Sequence, residues 1–447
     1  MLLVLFLGVL IAALDIAIVG PALPALQDAF GVDRRAVSWV FSTFVLFNLV
    51  SIPLMSRLAD LYGRRLIFSV DVLLFGVGAS IVALAPDFTV LLTGRAVQGM
   101  AAAGIFPAAS AVVGDTFPSE KHGRALGVLG AVYGIAFVIG PILAGVLLSV
   151  GRWTWLFWMA VPLAIVVSGV GWRVLPSTRA EEAQALDLRG MALLGSGLAL
   201  LAYGVNRVEA EAFLQSVLAP GTWPFLVGAL GLGALFIGAE RRAADPLLRP
   251  GLFANGQVRI ASALAFGAGL TEAAFIFFPD LAVAAFGVSK STASFMLLPL
   301  VIAVAIGSPI AGRVLDRVGS RAIVLFGTAM SVVGFGSIAA GATSRAVFYG
   351  GSVAIGIGLA CLLGSALSYI LLRESEAAER TVAQGVVALF LGVGQLMGGA
   401  FIGAVATSSG TGLSGYVNAF WTITAITGGL LVLGFQLKSR RAERAAS

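Results

Sequence analysis

Runs of about twenty apolar residues, long enough for a helix to cross a bilayer, recur along this chain and constrain its fold more than any other feature. Fourteen such segments lie at 2–26, 38–57, 66–85, 88–114, 124–149, 153–173, 189–206, 222–240, 257–279, 291–311, 321–342, 346–372, 382–407 and 417–438. Inside lipid every backbone N–H and C=O must be satisfied within the protein, which leaves helices or closed barrels. Continuous apolar runs of this length select helices, so the fold class is an all-α polytopic membrane protein. Composition agrees: 59% of the residues are hydrophobic and 11% charged, against roughly 25% charged in soluble domains.

The Lys and Arg residues fix the expected orientation. Twenty-one of the 28 fall in alternate connections and the C-terminal tail, six in the others, and Arg95 lies within a segment. Because cytoplasmic loops carry the Lys/Arg excess, both termini are predicted to be cytoplasmic. The net charge of +6 is then topological, and no nucleic-acid partner is expected. The chain is expected to begin directly in its first membrane helix. Cys361 is the single cysteine and His122 the single histidine, which excludes an internal disulfide framework and a Cys/His metal centre.

An internal repeat divides the chain. SRLADLYGRRLIF (56–68) aligns with GRVLDRVGSRAIV (312–324), matching Arg57, Asp60, Gly63 and Arg65 to Arg313, Asp316, Gly319 and Arg321. A second echo pairs HGRALG (122–127) with RTVAQG (380–385), and IGPILAG (139–145) with MGGAFIG (397–403). The expected organisation is a six-helix bundle over 1–175, a linker over 176–256 with two additional helices, a second six-helix bundle over 257–438, and a basic cytoplasmic tail over 439–447. Parallel repeats of this kind place a substrate site near the midplane between the halves. Gly63 and Gly319 suit tight turns, and the neighbouring Asp and Arg residues suit a conformational latch, the bland alternative being solvated loops. Arg64 belongs to the same cluster, and Asp71 is expected to join it from one turn or so inside the third helix.

Charges within membrane helices cost roughly 2.5–3.5 kcal/mol each on insertion scales and mark functional sites. Asp15, Arg95 and Glu272 are the three candidates. At about 1.5 Å per residue, Asp15 and Arg95 lie roughly 20 Å from the inner face and Glu272 roughly 22 Å. Asp15 with Arg95 is either a buried ion pair joining two helices or a proton-exchanging acid beside a permanent cation. Glu272, with Phe275 three residues on, suits an amphipathic cation or serves as a second proton carrier. Asn48, Gln98, Tyr133, Gln384 and Gln395 are weaker substrate-binding candidates, since such residues more often bond between helices.

These motifs make the chain similar to the major facilitator superfamily over nearly its whole length. The GRLADxxGRR-type stretch is that family's signature, with Ser56 in place of its leading glycine. Fourteen helices, two of them added in the middle, resemble the drug:proton antiporter branch. LDIAIVGPALP (14–24) and LLTGRAVQGMAAA (91–103) resemble its first- and fourth-helix motifs, the latter with an Arg tied to proton transfer. GVLGAVYGIAFVIGPILAG (127–145) resembles the antiporter motif through Gly127, Gly140, Pro141 and Gly145, with Ala136 and Ala144 replacing two glycines. Asp115, Glu120 and Arg124 lie in a stretch resembling the family's PExxxGR and are expected in the inner charge network.

The resemblance implies a proton-coupled exporter of amphipathic, cationic or lipophilic compounds, alternating access between two bundles in a bacterial-type plasma membrane. The expected partners are the bilayer, protons and a small amphipathic substrate, with lipid or lipid-linked cargo as the alternative and a monomer as the working unit. No cofactor is expected, the proton gradient supplying the drive. No GxxxxGK[ST] loop occurs for an ATP-driven pump, and no convergent nucleophile set suggests an enzyme.

Overall fold

The computed structural model describes residues 1–32, 34–150, 152–177, 187–209, 212–243, 246, 248, 250–288, 290–376, 379–408, 412–440 and 443. The first six long helices are α1 (Leu2–Phe30), α2 (Arg34–Tyr62), α3 (Arg64–Ala83), α4 (Phe88–Thr116), α5 (His122–Val150) and α6 (Ala160–Val174). Two more follow, α7 (Leu188–Asn206) and α8 (Trp223–Glu240). The last six are α9 (Gly256–Glu272), α10 (Leu298–Val318), α11 (Ser320–Ala340), α12 (Arg345–Cys361), α13 (Arg380–Ser408) and α14 (Leu413–Gly434). Among the described residues, twelve helical stretches are long and apolar enough to cross a membrane. The nineteen-residue α7 and α12, which continues through a π-helical turn at Leu362–Ala366 into Leu367–Glu374, are compatible with a set of fourteen.

The two groups of six pack by the same rule. In the first, α4 packs on α2 and α3, α5 on α1, and α6 on α3. In the second, α12 packs on α10 and α11, α13 on α9, and α14 on α11. Across the groups, α5 meets α10 and α13 meets α2, which is the same contact twice under the repeat. Glycine makes the closest crossings possible. A Cβ on Gly99 of α4 would lie 2.3 Å from the Phe44 carbonyl oxygen of α2, so only a bare Cα lets these backbones meet.

The additional pair is attached to one flank. α7 and α8 pack on each other, and α7 lies against both α2 and α13. Leu198 of α7 joins Leu49, Ile52 and Met55 of α2, Ala103 of α4 and Leu389 of α13 in one apolar cluster. Nearer the α7 C-terminus, Asn206 Nδ2 donates to Ser42 Oγ at 2.8 Å. A cavity of about 90 Å³ there is lined by Trp39, Tyr203 and Leu396 among others. α8 is outermost, with Val227, Leu230, Leu235 and Ile237 exposed.

Several expected boundaries are corrected. The stretches 56–68 and 312–324 are helix ends rather than loops. α2 runs to Tyr62 and α10 to Val318, and each breaks at a single glycine, Gly63 at φ 101° and Gly319 at φ 89°. One residue in that left-handed region turns the chain without further loop. The tenth segment starts at Leu298 instead of residue 291, after a short helix at Lys290–Phe295. Pro299 in its first turn explains the restart, since proline's missing N–H costs nothing there. The last helix begins at Leu413, after Gly412 at φ 67°. Of the linker, 178–186, 210–211, 244–245, 247 and 249 lie outside the described residues, as does most of the tail.

Candidate functional site

Asp15 reaches α4. Its Oδ2 lies 2.5 Å from Arg95 Nη1, and its Oδ1 accepts from Gln98 Nε2 at 2.9 Å. Arg95 Nη1 also donates to Gln98 Oε1 at 2.9 Å, and its Nε donates to the Val40 carbonyl of α2 at 2.9 Å. The Phe44 ring lies 4.6 Å beneath the guanidinium. Asp15 is 3% exposed and Arg95 0%. The local sequence explains the geometry: Arg95 and Gln98 are three apart, one face of a helix, and Gly99 admits α2 closely enough for Arg95 to bond its backbone. Thus three helices, α1, α2 and α4, meet on one ion pair whose hydrogen-bonding groups are largely satisfied. The exception is Arg95 Nη2, which is buried without a partner.

Glu272 stands at the end of α9, where the α-helix tightens into a 3₁₀ segment, Ala273–Phe277. Gln395 Nε2 of α13 donates to its Oε2 at 2.8 Å. Tyr133 of α5, on the other group of six, lies within electrostatic range of the same carboxyl and packs on Phe106 at 6.0 Å. Phe275 stacks edge-on against Phe278 at 5.9 Å, and Phe278 is the centre of an aromatic core with Phe335, Phe348 and Phe420. Glu272 and Gln395 therefore come together from α9 and α13, with Tyr133 of the other group within electrostatic range. Asn48 and Gln384 do not join them. Asn48 Nδ2 donates to the Gly99 carbonyl at 3.2 Å, and the buried Gln384 donates to the Ser368 carbonyl at 2.8 Å. Both tie helices together, as amide side chains in membrane interiors commonly do.

The basic ends of the two groups are braced in duplicate. Asp60 of α2 accepts from the backbone N–H of Thr381 at 3.3 Å and of Val382 at 3.0 Å, at the start of α13. Asp316 of α10 accepts from the backbone N–H of Gly123 at 2.8 Å and of Arg124 at 3.0 Å, at the start of α5. Each aspartate thus caps a helix of the opposite group, where free N–H donors and the helix dipole favour an anion. Arg64 Nη2 donates to Asp60 at 3.0 Å and Arg64 Nε to Thr381 Oγ1 at 3.0 Å, while Arg64 Nη1 pairs with Asp115. Arg380 Nη1 adds bonds to Asp115 at 2.7 Å and to the Gly114 carbonyl at 2.9 Å.

Glycines hold the same closure. A Cβ on Gly312 would lie 2.2 Å from the Gly123 carbonyl oxygen, one on Gly127 2.6 Å from that of Ser308, and one on Gly134 2.5 Å from the Ala305 nitrogen. These approaches run from the basic ends to about mid-depth. Toward the opposite ends, Phe41 and Phe47 of α2 and Met397 and Phe401 of α13 are exposed.

Several expected latch members sit elsewhere. Asp71 is buried without an ion partner: its Oδ2 packs where a Gly104 side chain would lie. Arg65 stacks over Trp172 at 5.6 Å and Arg321 over Phe435 at 6.0 Å, so each braces its own group. The Glu120 carboxylate accepts from the adjacent Ser119 hydroxyl at 3.1 Å. The Arg313 side chain is exposed, as is that of Arg124, which contributes through its backbone. Arg57 is buried. In the antiporter-type stretch, Gly127 meets α10 and Gly140 meets Ala17 of α1, and Ala136 is buried. Gly145 faces open space, and the Pro141 side chain lies outside the described residues.

Sequence reasoning missed the backbone donors of Thr381, Val382 and Gly123, and the side chain of Arg380. The echo of 122–127 in 380–385 was the available signal, because it makes Gly123 and Arg124 the counterparts of Thr381 and Val382.

The sequence matches the Major Facilitator Superfamily over residues 5–248 and 260–447. It is 30% identical to the multidrug resistance protein Stp of Mycobacterium tuberculosis, over 89% of this chain and 74% of that protein. It is 28% identical to a triacylglyceride transporter of Mycolicibacterium smegmatis, over 89% of this chain and 74% of the relative. Its fold is similar to that of the human organic anion transporter MFSD10 (TETRAN), with a TM-score of 0.74, 19% identity, and coverage of 97% and 98% of the two chains. With its duplicated helix packing, its repeated inner motif and this full-length match, the chain belongs to the Major Facilitator Superfamily, as a multi-pass membrane transporter of the drug-efflux branch.

Proposed function

We propose that this transporter is a proton-coupled antiporter, exporting amphipathic, cationic or lipophilic compounds across a bacterial-type plasma membrane. The observation that carries this reading is the Asp15–Arg95–Gln98 cluster, an acid buried at membrane depth with its partners supplied from α4. A proton and Arg95 compete for one carboxylate. Protonation of Asp15 removes the charge that holds α1 to α4, so proton occupancy is coupled to helix position. Arg95 stays charged throughout. Glu272, bonded to Gln395 and within electrostatic range of Tyr133, supplies a carboxylate for a cationic cargo between the two groups of six. With the basic ends cytoplasmic, the braced arrangement is the outward-facing one, and the export step ends there. The membrane potential alone contributes about 2.3 kcal/mol per charge per 100 mV.

The test is substrate-triggered proton movement in proteoliposomes with an imposed pH gradient, using an amphipathic cation such as tetraphenylphosphonium. Asp15→Asn is expected to abolish proton-coupled transport while leaving binding measurable, and Glu272→Gln to weaken cation binding. Full proton-coupled transport by Asp15→Asn would overturn the mechanism.

The likeness to a triacylglyceride transporter favours one second reading, export of lipid by the same coupling. A lipid-flip assay with labelled triacylglycerol in the same vesicles separates the two: movement of lipid without movement of the cation supports the second.

A further inference from the structure

Among the described residues, Asp71 is the one buried acid of the first six helices that the coupling cluster and the braces leave unused. It is 2% exposed, on α3, and its Oδ2 has no hydrogen-bond partner. It lies in a slot made by its neighbours: a Cβ on Gly104 of α4 would be 2.0 Å from Asp71 Oδ2 and 2.9 Å from Met55 Cβ of α2.

The charged groups on every element packed around α3 have other commitments. On α1, Asp15 is paired with Arg95 of α4. On α2, Asp60 is held by Arg64 and the start of α13, and the buried Arg57 makes a contact of its own. On α4, Asp115 is taken by Arg64 and Arg380. Arg65 of α3 lies over Trp172, and Arg173 of α6 is exposed. None of them donates to Asp71. An ionised carboxylate left without donors in such a place is costly enough that the group takes up a proton instead.

We propose that Asp71 is a second proton-binding carboxyl, holding a proton while the basic ends are braced and exchanging it with the adjoining water when the brace opens. The route follows from the packing. Asp71 is seven residues, two helical turns, along α3 from Arg64, which bonds Thr381 of the opposite group. Ser56, next to Met55, has a buried, unpartnered hydroxyl, and a Cβ on Gly385 of α13 would lie 2.3 Å from it. Parting α2 from α13 therefore uncovers Ser56 and breaks the Arg64–Thr381 bond together, bringing water toward Asp71 while Arg64 keeps its own-group partners Asp60 and Asp115. The proton binds as a carboxylic O–H and leaves to that water as hydronium, with the carboxylate left behind on Asp71. The part this proton plays in transport rests on the antiport reading; its presence does not.

Infrared spectroscopy on the purified full chain in lipid nanodiscs tests both parts without a substrate. At neutral pH the parent minus Asp71→Asn difference is expected to contain one protonated-carboxyl stretching band that shifts in D₂O. Loss of intensity in the carboxylate region instead would overturn the proposal. Gly104→Ala, which forces the Asp71 carboxyl to move, is expected to shift that band without removing it; an unmoved band would assign it to another acid. In Asp60→Asn/Asp316→Asn, with both helix caps weakened, deuterium exchange of the band is expected at least about tenfold faster than in the parent. Equal rates would refute gating by the brace. Failure of the antiport reading appears only in the vesicle assay, so the two outcomes are separable.

Discussion

At the scale of single residues, the most consequential side chain is Arg95. It satisfies Asp15, Gln98 and the Val40 carbonyl at once, so its removal strands a buried acid. Breaking a buried pair from one side typically costs about 3–5 kcal/mol. Arg95→Ala is accordingly expected to lower unfolding stability in detergent by that order. Asp15→Ala/Arg95→Ala is expected to recover part of the loss, because no lone charge remains. Thermal unfolding of the three variants measures it, and a double variant no more stable than Arg95→Ala would contradict the account. Sequence alone singled out Asp15 and Arg95, since a charge is conspicuous in an apolar run. It could not single out Gly99, because a glycine's value lies in what stands opposite, here the Phe44 carbonyl. Asp71 illustrates the limit differently. Its place one turn or so inside the third apolar segment suggested the inner network, but α4 comes in at Gly104 and closes it off.

At the scale of helices, the contact between α5 and α10 depends on glycines facing glycines. Gly312→Ala would place a methyl 2.2 Å from the Gly123 carbonyl oxygen, a backbone atom that cannot rotate away. Overpacking costs roughly 1–3 kcal/mol, and here it falls on the braced arrangement alone. The variant is expected to favour the state open at the basic ends. Alkylation of a cysteine introduced at Ser308, beside Gly127, should then quicken by about tenfold, a factor that corresponds to roughly 1.4 kcal/mol; an unchanged rate would mean the crossing is slack. The helix order was legible from apolar runs, and the twelve long, apolar helices among the described residues are compatible with the fourteen expected. The ends were less so, because polarity marks where lipid stops while helices continue: Arg57 and Asp60 look like loop residues but occupy the last turns of α2.

For the whole molecule, the two trans-caps act in parallel. Asp60 and Asp316 each accept two backbone N–H bonds from the opposite group. Hydrogen bonds to charged groups are worth about 1.5–3 kcal/mol. Asp60→Asn and Asp316→Asn are each expected to shift the population toward the open state, and the double variant to shift it by about the sum, since the sites are separate. Spin-label distances across the basic ends of α2 and α13 would register this; a null effect of Asp316→Asn beside a large one of Asp60→Asn would show that one cap alone holds the closure. The repeat made this symmetry readable at the aspartates. The donors were hidden because a backbone N–H has no signature in sequence.

The seat of α7 has a consequence of its own. It lies over the junction of α2 with α13, while no such helix pair is seen over the matching junction of α5 with α10 among the described residues. A molecule dissolved in the bilayer thus meets a roofed seam on one side and a bare seam on the other. The twofold repeat describes how the halves grip each other, but toward the surrounding lipid the protein has a front and a back.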